Sequence, residues 1–279
     1  MSEWEVTARY PGPGATLGEV WRYRRLLGFI GKRALQKMYR RTILGWLWLF
    51  INPLVPLALR TLIFGGLLGV GSNGLPYFLF LLGGTVAWDL FATSVTWATR
   101  SLEMNRDLTD QIYHPRALLP FGNLTPALFD FGIKSTVFAG ALAYYAARDG
   151  RVYVRGDLSV LWAVAALALG VLLALGISMF TAVWSERGRD TRFALNQVLS
   201  VWYLLTPVLY PLSQIPPDMR GWMLLNPLAT IVETFKWSLF GVGEFQPRVF
   251  GGTAAAVVLF FLGGLVYFTR AEARTIEDR

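Results

Sequence analysis

The side chains with chemistry to offer are few, and most sit where water is scarce. Arg60, Asp89, Asp130, Lys134, Glu233 and Lys236 interrupt stretches that are otherwise apolar. A charge held at bilayer depth costs several kcal/mol unless it is paired or wetted, so these groups should turn into the protein. At about 1.5 Å of rise per residue, Arg60 falls roughly 15 Å and Asp89 roughly 20 Å from the same end of successive spans, close enough in depth to pair. Asp130 and Lys134 are four residues apart, share a helix face and can also pair. Such charges either glue spans together or line a polar path, and their positions alone leave both open.

Catalysis finds little support. His114 is the only histidine and lies in a polar connection, and the chain has no cysteine. A histidine metal site, a catalytic triad and thiolate chemistry within one chain are therefore not expected. The carboxylates do not gather into an acid/base pair. GFIGKR, Gly28–Arg33, is the nearest approach to a phosphate-cradling loop, but its glycine spacing is wrong and it lacks the hydroxyl. The expectation is a chain that is no enzyme, holds no metal or cofactor, and does not bind ATP through such a loop.

The elements that position these residues follow from the solvent. Hydrophobic residues make up 54% of the 279, charged residues 16%, and the mean hydropathy is +0.44. A soluble core could not absorb so much apolar surface, which implies an integral membrane protein. In a soluble chain the net charge of +8 would suggest nucleic acid, but here the cations report orientation, and no nucleic-acid partner is expected. Stretches long enough to span occur at about 44–70, 76–99, 118–147, 158–184, 193–212 and 249–269, which predicts six spans. Lys and Arg crowd the segment before the first span and the 100–116, 187–192 and 270–279 connections, which places both termini in the cytoplasm.

The first 40 residues are basic and amphipathic and do not resemble a cleavable signal. TLGE, Thr16–Glu19, fits a capping box, and Leu17, Val20, Trp21, Leu27, Ile30, Ala34 and Met38 recur near helical spacing, opposite Arg22, Arg25, Lys32, Arg33 and Lys37. This pattern predicts a helix lying on the headgroups, at the least as a topology anchor. WMLLNPLATIVETFKWSLFG, Trp222–Gly241, is apolar but broken at Asn226 and Pro227, since proline opens a helix and disfavours helix just before it. Two short re-entrant helices fit best, because irregular backbone at depth must be covered by protein; a surface hairpin is the alternative.

Aromatic residues crowd the start of the first span (Trp46, Trp48, Phe50), the second span (Trp88, Phe91, Trp97) and the opposite half (Trp202, Tyr203, Tyr210, Trp222, Trp237). Interfacial belts account for many of them. Trp88 and Trp202 lie inside spans, where their rigid faces also suit the apolar faces of sugar rings.

Four stretches resemble a known family in its order: YRRTILGWLWLFINPL (Tyr39–Leu54), LLGGTVAWDLFATSV (Leu81–Val95), IYHPRALLP (Ile112–Pro120) and LTPVLYPLSQIPPDMRGWMLLNPLATIVETFKWSLFG (Leu205–Gly241). They are similar to the permease subunits of ABC-2 type exporters, in the branch that exports O-antigens, capsules and teichoic acids. Asp89, where an uncharged polar residue is expected, and His114, where an aromatic is commoner, depart from the pattern.

The resemblance implies an all-α integral membrane protein of the ABC-2 (type V) exporter fold. Its parts would be a cytoplasmic segment with an amphipathic gate helix (1–43), one six-span domain (44–269) and a cytoplasmic tail (270–279). A coupling helix would lie at about 102–115, and paired re-entrant helices between spans five and six at about 219–240. It also implies a homodimer in the bacterial cytoplasmic (inner) membrane, two copies of an ABC ATPase subunit holding ATP and Mg, surrounding membrane lipids, and a lipid-linked polysaccharide as cargo. An exporter of small amphipathic drugs, antibiotics or lipids is the alternative.

Residue by residue, the resemblance assigns ATPase coupling to Leu102, Arg106, Asp107, Tyr113, His114 and Arg116, and the gate helix to Trp21, Arg25 and Arg33. The re-entrant helices would carry Trp222, Asn226, Pro227, Glu233 and Lys236. The substrate pathway would be lined by Trp46, Trp48, Arg60, Trp88, Asp89, Phe91, Trp202, Tyr203 and Tyr210. Pro53 and Pro56 should bend span one there and free backbone carbonyls, with Arg60 meeting a pyrophosphate linkage or bridging to Asp89.

Overall fold

The computed structural model describes residues 13–39, 48–111 and 114–277. Every regular element among the described residues is helical. The chain opens with α1 (Pro13–Arg22) and α2 (Arg24–Tyr39), then α3 (Trp48–Arg60), which runs into a π-helical segment, Thr61–Leu67. A loop leads to α4 (Tyr77–Thr99), two short helices, α5 (Ser101–Met104) and α6 (Arg106–Gln111), then α7 (Leu118–Gly122) and α8 (Thr125–Asp149). The last part holds α9 (Val160–Arg187), α10 (Asp190–Leu204), a 3₁₀ turn at Leu212–Gln214, α11 (Pro217–Leu224), α12 (Pro227–Phe240) and α13 (Pro247–Glu277).

Helices long and apolar enough to cross a membrane run over Phe50–Leu67, Tyr77–Thr99, Val160–Arg187 and Pro247–Glu272. The chain is thus a multi-pass membrane protein. The third expected span divides into α7 and α8 at Asn123 and Leu124. Pro126 disfavours helix just before it, and the Thr125 hydroxyl meets the freed Gly122 carbonyl at 3.0 Å. The fifth, expected to reach 212, is a 15-residue helix that stops at Leu204, because Pro207 and Pro211 follow.

The N-terminal expectation needs correction. Thr16 lies inside α1 and is buried, so it is not a cap. The amphipathic stretch is two helices broken at Tyr23, not one. In α3 the helix runs through Pro53 and Pro56, whose missing N–H groups leave the carbonyls four residues earlier without their helical donor. Beyond Arg60 the ladder widens to five-residue spacing, as in the bond from the Leu68 amide to the Ile63 carbonyl at 2.9 Å.

α4 is the central element, packed against α8, α9, α10 and α12. α9 is its main partner and also packs along α13. The α9–α13 approach is set by small residues: a Cβ on Gly264 would stand 2.8 Å from the Gly176 carbonyl oxygen, and one on Gly176 would stand 2.8 Å from the Phe260 ring. One core cluster gathers Val86, Trp88, Phe91, Leu173, Ile231 and Phe235 around α12. A second, at the other end of the bundle, gathers Ile30, Leu118, Leu119, Met179 and Phe268. α3 and its π-helical extension are the exception, with Leu57 buried while Val55, Leu59 and Leu62 are all more than half exposed.

Candidate functional site

A polar cluster occupies the middle of the bundle where α3, α4, α8 and α10 meet. Lys134 on α8 donates to Asp89 on α4 at 2.6 Å and to Asp130, one turn earlier on its own helix, at 2.7 Å. The expected Asp130–Lys134 pair is therefore formed, but the expected Arg60–Asp89 bridge is not. α8 packs beside α4 and brings Lys134 to Asp89, whereas the end of α3 faces α10. There the Arg60 guanidinium donates to the Tyr203 hydroxyl at 2.9 Å and lies 4.7 Å from the centre of that ring, a cation–π contact.

The aromatic residues assigned to the pathway lock together behind this cluster. Trp88 meets Tyr203 edge-on at 5.3 Å, Phe91 meets Trp202 at 5.5 Å, and Trp88 and Phe91 touch at 5.7 Å. Trp88, Phe91 and Tyr203 are buried in the core of the chain, while Trp202, Tyr210, Arg60 and Asp89 keep partial exposure. Trp48 is exposed, and Trp46 lies outside the described residues.

Asn226 organises the broken segment after α10. As the N-cap of α12, its side-chain oxygen accepts from the Leu228 amide at 3.0 Å and from the Trp202 indole at 2.9 Å. Its amide donates to the Leu205 carbonyl and the Thr206 hydroxyl at 3.3 and 3.2 Å. One side chain thus pins the break between α11 and α12, with Pro227 in the first turn as expected, onto the end of α10.

Inside α12 the buried Lys236 pairs with Glu233 at 2.6 Å, donates to the Pro207 carbonyl at 2.8 Å and lies 4.1 Å from the Phe80 ring centre. Trp222 on α11 is 77% exposed. α12 ends at Gly241, whose φ of +70° is the left-handed cap conformation; there a Cβ would also meet Arg155 at 3.1 Å. Arg155 ties the 150–159 connection to this end. Its amide bonds the Leu239 carbonyl at 2.7 Å, its guanidinium lies 5.2 Å from the Trp237 ring centre, and it pairs with Asp157 at 3.4 Å. Hydrogen bonds from the Ser159 hydroxyl and amide hold the Asp157 carboxyl below its ordinary range.

The opposite end of the bundle carries a clamp. α2 docks on α7 and the start of α8 at van der Waals limits: a Cβ on Gly122 would stand 2.6 Å from Ile30, and one on Gly31 would collide with Thr125. From α2, Arg33 reaches Asp107 on α6 at 3.1 Å and Lys37 reaches the Met104 carbonyl of α5 at 2.5 Å. Arg192 of α10 reaches Glu103 of α5 at 2.8 Å, and the Arg116 amide reaches Glu272 of α13 at 3.2 Å.

Leu102 and His114 are buried here, Arg106 is exposed, and Tyr113 lies outside the described residues. Trp21 is 73% exposed on α1, with the Arg24 guanidinium 5.5 Å from its ring centre, and Arg25 is also exposed. The structure therefore brings Arg33, expected in the gate helix, and Asp107, expected in the coupling helix, together, and leaves Trp21 and Arg25 apart from that contact. Lys134, Glu103, Arg192 and Glu272 fall outside the sites that the sequence assigns. Spacing exposed the pair of Lys134 with Asp130, but no local pattern marks partners that lie 45, 89 or 156 residues away.

The chain is similar over nearly all its length to curated export permeases. It is 27% identical to the O-antigen export system permease protein RfbA of Myxococcus xanthus, covering 91% of this chain and 95% of that protein. With the Klebsiella pneumoniae protein of the same name it shares 26% identity over 90% and 94% of the two chains. With the polysialic acid transport protein KpsM of Escherichia coli the figures are 23%, 86% and 92%. Residues 25–240 match the model of the ABC-2 type transporter family, and by that match over most of its length the chain belongs to it.

Proposed function

We propose that this chain is the membrane permease of an ABC exporter that moves a lipid-linked polysaccharide outward across the bacterial inner membrane. It would act as a homodimer with two copies of a separate ATPase subunit, which supply the ATP and Mg. The observation that carries this reading is the near end-to-end similarity to proteins named for O-antigen export and polysialic acid transport.

In this reading the six spans are α3 with its π-helical extension, α4, α7 with α8, α9, α10 with the turn after it, and α13. α11 and α12 re-enter from the outer face, and both termini are cytoplasmic. The α2–α5–α6 clamp then faces the ATPase. A movement of α5 and α6 would reach α2 through Arg33 and Lys37, and it would reach α10 through Glu103 and Arg192. Coupling requires such contacts to differ between two states. Arg60 offers a cation for a phosphate linkage, with Asp89 near it at the polar centre, and the exposed Trp48 and partly exposed Tyr210 offer ring faces to sugars. Trp88, Phe91 and Tyr203 support that wall from behind.

The test is depletion of the protein in its native host, with surface polymer and lipid-linked intermediates followed together. Surface polymer should fall while lipid-linked chains accumulate in the inner membrane. Unchanged surface polymer would overturn the reading.

A further inference from the structure

A cavity of about 600 Å³ lies between α9, α10, the α11–α12 break and α13, walled by Leu173, Trp202, Leu225, Pro227, Gly252 and Phe260 among others. We propose that it is a groove for the hydrocarbon tail of a membrane phospholipid in the leaflet on the α11–α12 side. The inference rests on the multi-pass placement of the chain and holds whether or not the cargo is a polysaccharide.

The lining carries no charged side chain, and its polar groups are the Thr253 hydroxyl and the Trp202 indole N–H. The indole already donates to Asn226 at 2.9 Å. A sugar or phosphate placed here would give up its water without finding donors, whereas a hydrocarbon chain gives up nothing.

Depth points the same way. On α13 the lining runs from Val249 to Phe260, eleven steps that amount to roughly 16 Å at the helical rise. One leaflet contributes about 15 Å of the hydrocarbon core, so the groove is as long as a lipid tail is deep. The cavity is also continuous with apolar surface, since Leu204, Leu225 and Leu259 beside it are 57%, 73% and 69% exposed. Its open wall is made of small residues: a Cβ on Gly252 would meet no heavy atom within 4 Å, and Ala256 lies one turn further along the same face. A tail lying there touches Leu225 and Pro227, and so presses on one side of the α11–α12 break that Asn226 holds from the other.

The test uses the full chain in nanodiscs of phosphatidylethanolamine, a fraction of which carries a diazirine at mid-acyl chain. After irradiation, labelled peptides are mapped by mass spectrometry. Label should concentrate on groove residues. Gly252→Phe, which fills the groove from an open position, should cut groove labelling at least fivefold while labelling at the lipid-facing Leu161 stays unchanged. Ala256→Leu serves the same purpose should Gly252→Phe fail to fold, and the wild-type pattern decides by itself. Label spread evenly over lipid-facing residues would overturn the proposal. So would a groove labelled only by a photoactivatable polyprenyl phosphate, or only by a small amphipathic amine.

Discussion

Lys134→Met removes the cation that stands 2.6 Å from Asp89 and 2.7 Å from Asp130, leaving two carboxylates at one place in the bundle without it. Breaking a buried pair by deleting one partner costs about 3–5 kcal/mol. The three side chains keep 12%, 26% and 21% exposure, so water still reaches the stranded carboxylates. The lower end, about 3 kcal/mol, is therefore expected. At roughly 2 °C per kcal/mol for a chain of this size, the melting temperature should fall by about 6 °C.

The assay is thermal unfolding of detergent-purified protein followed by size-exclusion fluorescence. The triple variant Lys134→Met, Asp89→Asn, Asp130→Asn should return to within about 1 °C of the parent, because it removes the desolvation cost together with the attraction. A single variant that melts like the parent would refute the reasoning, as would a triple variant no better than the single.

The same measurement should find Asn226→Ala destabilised by about 2 kcal/mol, the upper end for a lost cap, because the Trp202 indole loses its acceptor too. Asn226→Asp keeps the accepting oxygen and should fall between. Gly31→Leu drives a side chain into Thr125 and should cost about 1–3 kcal/mol as overpacking, with α2 released from α7 and α8; cysteine cross-linking of positions 33 and 107 in this cysteine-free chain reads that release. Arg33→Glu should leave the melting temperature within about 1 °C, because the pair lies at an exposed surface, yet impair coupling to the ATPase. Adding Asp107→Arg should restore that coupling. Arg60→Ala should lower export more than Tyr203→Phe does; equal losses would mean that Arg60 serves only to hold Tyr203.

What the sequence discloses here is the punctuation. Pro227 following Asn226 marks the helix break, because proline opens one helix and disfavours the one before it, and the break stands where those residues place it. Pro207 and Pro211 carry the same signal for the end of α10, but the apolar run continuing to Leu212 masks it and makes the span look longer than its helix. The Asp130–Lys134 pair is legible because four residues is a helical repeat. Arg60 and Asp89 illustrate the limit: similar depth allows a pair, but which neighbour arrives depends on the packing of α8 against α4 and on the reach of Arg60 to Tyr203 of α10. Likewise Trp88 and Phe91 show aromatic character without showing which face is buried, since α4 has apolar residues all around.

The central claim is that this permease passes a polymer. It is tested most directly by reconstituting the chain with its ATPase subunit in proteoliposomes and measuring ATP hydrolysis with long lipid-linked glycans, short ones and small amphipathic drugs. The account predicts stimulation by the glycans and its loss in Arg60→Ala. Stimulation by the drugs alone would contradict it.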